Sequence, residues 1–267
     1  MGESFVDMHV FWSVASFLVG AVVGSFLNVV IARVPIEESI VSPASRCPYC
    51  RRGIKSYDNI PIVSWLLLRG RCRYCGYRIS PRYPFVELVT ALLFVALYLK
   101  WGLTPTAGVL CGFVCAMIAI FWIDLDHMII PDVISLNFIP VGVAASVVGV
   151  LPGMDWKASL LGLVLGVLVS YVPAVIYEKL RGIEGLGGGD VKLLAMIGAF
   201  TGPYGVVFVL FMSSVAGTLV AVVGMILQRA GSTTPIPFGP FLTLAALVYV
   251  FGGDKIVEHF LRLAQYF

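Results

Sequence analysis

Seven apolar runs long enough to span a bilayer, at about 9–31, 84–100, 107–123, 132–151, 157–177, 204–227 and 238–252, leave this chain little choice of fold. A hydrocarbon core about 30 Å thick takes roughly 20 residues of α-helix. An eighth run, 191–201, is shorter. Eleven residues at ~1.5 Å each rise only about 16 Å, so it reads as a half-span or a short helix in a thin region. Composition agrees: 59% of the 267 residues are hydrophobic and only 12% are charged, against about 25% charged in soluble domains. The expected fold is an all-α polytopic membrane protein of seven to eight transmembrane helices.

Charge placement sets the expected orientation. Residues 32–83 hold ten of the 18 basic residues, Arg33 to Arg82. The positive-inside rule makes that loop cytoplasmic and the N-terminus external. The first run lacks a basic residue before it and a small-residue cleavage site after it, so it reads as a retained span rather than a signal peptide. Counting onward puts 124–131 and 178–190 inside. If 191–201 crosses, Arg229 joins them and 14 of the 18 basic residues lie inside; otherwise Arg229 moves out. The domain reading is a first span (1–31), a cytoplasmic loop (32–83), a membrane domain (84–253) and a short tail (254–267).

The loop contains Cys47-Pro48-Tyr49-Cys50 and Cys72-Arg73-Tyr74-Cys75, two C-x2-C knuckles separated by 21 residues. Four thiolates so paired suit one tetrahedral zinc. Full protein ligation leaves no open coordination position, so the expected role is structural, in a zinc-ribbon-like element with little core of its own, to which metal could supply much of the folding energy. A cytoplasmic address argues against disulfides. Cys111 and Cys115, four apart in the third span, read as packing residues. The loop carries no nucleic-acid motif and no interleaved aromatic platform. Its arginines fix topology and face anionic lipid headgroups, which makes membrane lipid the expected partner.

Acidic and amide groups near membrane depth are functional candidates by default. Glu87, early in the second span, is either a snorkelling or ion-paired acid or a functional one. Asn28 is either an interhelical hydrogen bond between close-packed helices or functional. Asp124, Asp126 and Asp132 cluster between the third and fourth spans, and Asp190 follows Gly187-Gly188-Gly189. Asp132, beside Pro131, is most economically the first turn of a helix. Two carboxylates placed a few ångströms apart cannot both ionise, so one keeps a proton and the other acts as base. Such a pair hydrolyses a peptide bond with water alone. Gly187 and Gly189 would let backbone approach a substrate strand and adopt unusual φ. A helix starting after Asp190 would favour its ionised form. Physics alone leaves Asp124 and Asp126 open, and a membrane-edge aspartate is often only a cap. Pro235-Ile236-Pro237-Phe238-Gly239-Pro240-Phe241 is too proline-rich for helix interior; it either lines the site or shapes a turn.

Taken together and in this order, these segments resemble the type IV prepilin peptidases, bacterial GxGD-type aspartic proteases of which many are also N-methyltransferases. The resemblance rests on Gly24–Pro35, Ile60–Trp65, Gly70–Cys75, Ile79–Glu87, Asp124–Asp132, Gly187–Leu194 and Pro237–Phe241. It implies a catalytic dyad of Asp124, seven residues before Pro131, and Asp190, with Asp126 an auxiliary candidate. It also implies prepilin or pseudopilin substrates in the bacterial inner membrane. These would be cut on the cytoplasmic side after a glycine and then N-methylated from S-adenosylmethionine. The intact zinc loop matches the long, bifunctional form. No Gly-rich dinucleotide-type fingerprint marks the donor site. Two alternatives stand beside this reading. One is a leader peptidase without methyltransferase activity. The other is a proton-coupled carrier, which inverted repeats would favour and of which the sequence shows none.

Overall fold

The computed structural model describes residues 2–182, 187–227, 236–253 and 256, the side chains of 2–6 and 181 excepted. Pro235, Arg229 and nearly all of the 254–267 tail lie outside the described residues. Among the described residues there are eight α-helices and no strand: α1 (Gly2–Arg33), α2 (Val63–Leu67), α3 (Arg82–Trp101), α4 (Pro105–His127), α5 (Asp132–Val147), α6 (Trp156–Arg181), α7 (Gly188–Ile226) and α8 (Gly239–Val248). Five of them, α1, α3, α4, α6 and α7, are long and apolar enough to cross a membrane, and α5 and Gly239–Gly253 are shorter apolar helices. The expected all-α membrane fold is what the chain adopts.

Local chemistry sets the boundaries. Pro84 sits within the first turn of α3, where its missing N–H costs nothing, and Gly102 at φ 65° closes the helix. Asp155 caps α6 by accepting from Ala158 N–H at 2.8 Å, and Gly182 ends it in the left-handed region. Pro131 precedes α5 and Asp132 occupies its first turn, as the sequence predicts.

The short 191–201 run is part of α7, which is two helices joined at Gly202. That residue has φ 69° and ψ −173° and is followed by Pro203. An ideal Cβ on Gly198 would lie 2.9 Å from a Val206 methyl. Along a straight helix eight residues separate two positions by about 12 Å, so the chain doubles back at Gly202. The 188–201 half is therefore a helix of its own, about 21 Å long at ~1.5 Å per residue.

The chain divides into two compact units, Met1–Ala119 and Ile120–Phe267. In the first, α1 packs on α3 through positions where no side chain fits. A Cβ on Gly20 would lie 2.7 Å from Ala91 Cα, and one on Gly24 2.7 Å from Glu87 Cα. This close approach lets Asn28 donate to the Tyr83 carbonyl at 3.1 Å, the interhelical one of the two readings open for it. In the second unit α6 runs against the first half of α7. Gly162 faces Gly198 and Gly202, Gly166 faces Leu194, and Ser159 donates to the Ala199 carbonyl at 2.8 Å.

Candidate functional site

The cysteine loop is built as a repeated unit. Isolated bridges pair Arg46 with Gly53 and Arg71 with Arg78. Within each, the first cysteine's N–H donates across the turn, Cys47 to Arg52 at 3.0 Å and Cys72 to Tyr77 at 2.9 Å. The fourth residue after each of these cysteines donates back to it, Arg51 to Cys47 and Gly76 to Cys72, both at 2.9 Å. Arg51 and Gly76 occupy the same left-handed position, at φ 57° and 70°. Tyr49 of one knuckle stacks on Tyr77 of the other with ring centroids 5.1 Å apart.

This geometry gathers all four sulfurs within 4.8 Å of one another. The Cys47 and Cys75 sulfurs are 3.8 Å apart, the separation of about 3.8 Å that tetrahedral Zn–S bonds of ~2.3 Å require. Backbone N–H groups of Cys75 and then Tyr74 aim at the Cys72 sulfur and hold its thiol down at about 7, while the neighbouring Cys75 thiol is pushed up to about 11. The four cysteines can bind a metal ion.

The aspartates divide by burial. Asp124, in the last turn of α4, is 5% exposed. It accepts the Gly239 N–H at 2.9 Å across 115 residues of sequence. Gly239 opens α8, and a Cβ there would stand 2.6 Å from Asp124 Oδ2. Asp190 lies half-buried in the first turn of α7. Its carboxylate lies beside the Gly187 backbone and within electrostatic reach of Asp124. With Gly187 at the N-cap, Asp190 is the third residue of the helix, and its N–H donates back to the Gly187 carbonyl at 3.0 Å. Asp126 is exposed, about 200° round the helix from Asp124. Asp132 is elsewhere engaged, receiving Lys192 Nζ at 2.7 and 2.8 Å, which ties the start of α5 to the start of α7.

Two expectations about the glycines are corrected. The helix begins at Gly188, two residues before Asp190 rather than after it, and Gly187 is extended at φ −64°, ψ 139°. None of Gly187, Gly188 and Gly189 has positive φ. Gly188 and Gly189 are helical and Gly187 is extended, so none of them forms a left-handed turn here. The close approach that Gly189 permits here is to Ile130, 3.0 Å from an ideal Cβ.

Three contacts had no signal in the sequence. The Gly239–Asp124 bond joins segments too distant for any local pattern. Lys192–Asp132 was readable only as two separate charges. Glu87 is buried and accepts the Ile62 N–H at 2.6 Å; nothing in the sequence marked Ile62 as its partner.

Two family models match the chain. The bacterial peptidase A24 N-terminal domain covers residues 18–101, including all four cysteines and Glu87. The type IV leader peptidase family covers residues 111–222, including Asp124 and Asp190. Several curated proteins named prepilin leader peptidase/N-methyltransferase are similar over most of their length. One from Stutzerimonas stutzeri is 36% identical over 94% of each chain. One from Bacillus subtilis (strain 168) is 34% identical over 93% of this chain and 97% of its own. A Myxococcus xanthus relative is 42% identical over 84% of this chain and 66% of its own. No solved structure matches the chain.

Proposed function

The chain belongs to the type IV leader peptidase family, and from that membership we propose that it cuts the basic leader from prepilins or pseudopilins with Asp124 and Asp190 and then N-methylates the new terminus. The protein is a multi-pass inner-membrane enzyme. Its N-terminus faces outward, and the 32–83 loop and both aspartates face the cytoplasm, an orientation that rests on the basic-residue bias.

The observation that carries this reading is the buried Asp124 carboxylate, fixed by the Gly239 N–H and within electrostatic reach of Asp190. Two such carboxylates share one proton. The ionised member takes a proton from water, whose oxygen attacks the carbonyl carbon of the scissile peptide. The protonated member hydrogen-bonds the carbonyl oxygen and then protonates the leaving nitrogen as the C–N bond breaks. Gly239 holds one Asp124 oxygen, so the carboxylate's rotation is set before substrate arrives; such fixed orientation is worth more in a water-poor site than in solution. Asp126, exposed on another face, serves neither step.

The four cysteines would hold one structural zinc, which would tie the two knuckles together. The half-exposed and exposed apolar residues of α2, Val63, Leu66 and Leu67, suit a loop that rests against lipid. S-adenosylmethionine, when bound, supplies an electrophilic methyl group to the neutral α-amine released by cleavage.

The test is a single assay on purified, detergent-solubilised protein with a full-length prepilin and S-adenosylmethionine carrying a labelled methyl. The expected result is loss of the leader followed by label on the new N-terminus. Cleavage without label leaves the protease-only reading. Neither reaction would leave a carrier.

A further inference from the structure

Soon after α1 ends at Arg33, within the first unit, the chain makes a turn over residues 39–43 whose tip is apolar and open. Val41 is 86% exposed and Ile40 is exposed beside it, an arrangement that water disfavours. The polar groups of this turn are met from within. Arg33 donates to the Ser39 carbonyl at 2.8 Å and to the Pro43 carbonyl at 2.7 Å. The Val41 and Ser42 N–H groups both donate to Ser39 Oγ at 3.3 Å. In water a turn has no need of such service, whereas in hydrocarbon every open backbone group is costly. A groove of about 340 Å³ shows which way the turn points. Val22 and Phe26 of α1 line it together with Ile40, Val41 and Pro43. Val22 lies about 16 Å down the helix from Arg33 and Phe26 about 10 Å, at ~1.5 Å per residue. A loop rising straight into water could not share a groove with Val22, so the turn folds back along α1. Val22 and Phe26 are exposed, on the side of α1 opposite the Gly20 and Gly24 face that packs on α3, and that side meets lipid.

We propose that the 39–43 turn is a membrane-inserted tip, sunk into the leaflet where α1 ends, and that its groove against α1 takes a phospholipid acyl chain. The lining selects hydrocarbon. Of the residues around the groove only Arg33 is charged. It stands where α1 leaves the bilayer, the level at which a long basic side chain keeps its head among the lipid headgroups. Glu37 and Glu38, exposed just before the turn, mark the water side of the elbow. The groove also falls in the range of roughly 300–1,000 Å³ in which small-molecule sites are found. Insertion has a consequence for the cysteine loop. Ser45, at the edge of the groove, accepts the Ile54 N–H at 2.8 Å and stands two residues before Cys47. The tip therefore fastens the first knuckle at a fixed height over the membrane. The inference rests on α1 as a membrane span and on neither proposed reaction.

The test places an environment-sensitive fluorescent amino acid at position 41 of the full-length protein, reconstituted in vesicles of phosphatidylcholine and phosphatidylglycerol. The same label at Tyr57, exposed on the loop, is the comparison. Melting temperature reports whether each labelled protein keeps its fold, and if the label at 41 lowers it then the label at Ile40 decides. At the tip, a nitroxide carried along the lipid acyl chain should quench strongly. Aqueous iodide should quench there at least about fivefold less than at 57, because a side chain sunk below the headgroups meets little aqueous ion. Iodide quenching at the tip as strong as at 57 would overturn insertion. Silence to both quenchers would overturn it as well, since protein rather than lipid would then cover the tip. A benzophenone amino acid at position 41 reads the occupant of the groove. Irradiation in the same vesicles should yield protein carrying the mass of one phospholipid, and absence of any lipid adduct would overturn the acyl-chain assignment.

Discussion

A single missing side chain organises the candidate dyad. Gly239 donates to Asp124 from a distance that no residue with a Cβ could share, since that atom would stand 2.6 Å from the carboxylate oxygen. Gly239→Ala must therefore push the carboxylate off its bond. A misplacement near 1 Å costs about 100-fold in rate when orientation is the catalytic device, so kcat/KM for leader cleavage should fall by roughly 10- to 100-fold with the protein still inserted. A rate within twofold of wild type would show that Asp124 is positioned by other means. Asp132→Asn should behave differently. Its ion pair with Lys192 is well exposed on both sides, and such pairs are worth about 0–1 kcal/mol, so thermal stability should barely change. The sequence displayed the carboxylates, the cysteines and the Gly239 block as separate marks. It could not display the bond between Asp124 and Gly239, because hydrogen-bond geometry across 115 residues leaves no local periodicity.

At the level of elements, α6 and the first half of α7 meet backbone to backbone. A Cβ on Gly162 would lie 2.3 Å from the Gly198 carbonyl oxygen, and one on Gly198 2.2 Å from the Gly162 oxygen. Neither neighbour is a flexible side-chain end. Small residues at helix contacts are how membrane helices approach closely when water offers no drive. Gly162→Leu should separate the two helices at a cost of at least about 1–3 kcal/mol, the usual scale of overpacking. A clear drop in melting temperature, or loss of protein from the membrane, is the expected readout; unchanged Tm would contradict the packing. The spans themselves were readable because a helix that crosses lipid needs a long apolar run. The 191–201 run was ambiguous for a physical reason. Its boundary is one backbone reversal at Gly202-Pro203, and Gly–Pro alone does not say whether a helix bends or turns back. The contact between Val206 and Gly198 supplies that answer.

For the whole molecule, the family membership, the cysteine cluster and the aspartates describe one enzyme with separable parts. Purified protein should carry about one zinc per chain, and Cys72→Ser/Cys75→Ser should lose it. Methyl incorporation on a pre-cleaved substrate should then fall further than cleavage of an intact one, because hydrolysis requires only two carboxylates and water. Equal loss of both would make the loop a scaffold for the entire enzyme. The central claim is the dyad, and its most direct test is leader cleavage by Asp124→Asn, Asp190→Asn and Asp126→Asn, each assayed as inserted protein on one prepilin. The first two should show no detectable cleavage and the third near-wild-type cleavage. Full activity in either Asp124→Asn or Asp190→Asn, or loss confined to Asp126→Asn, would contradict it.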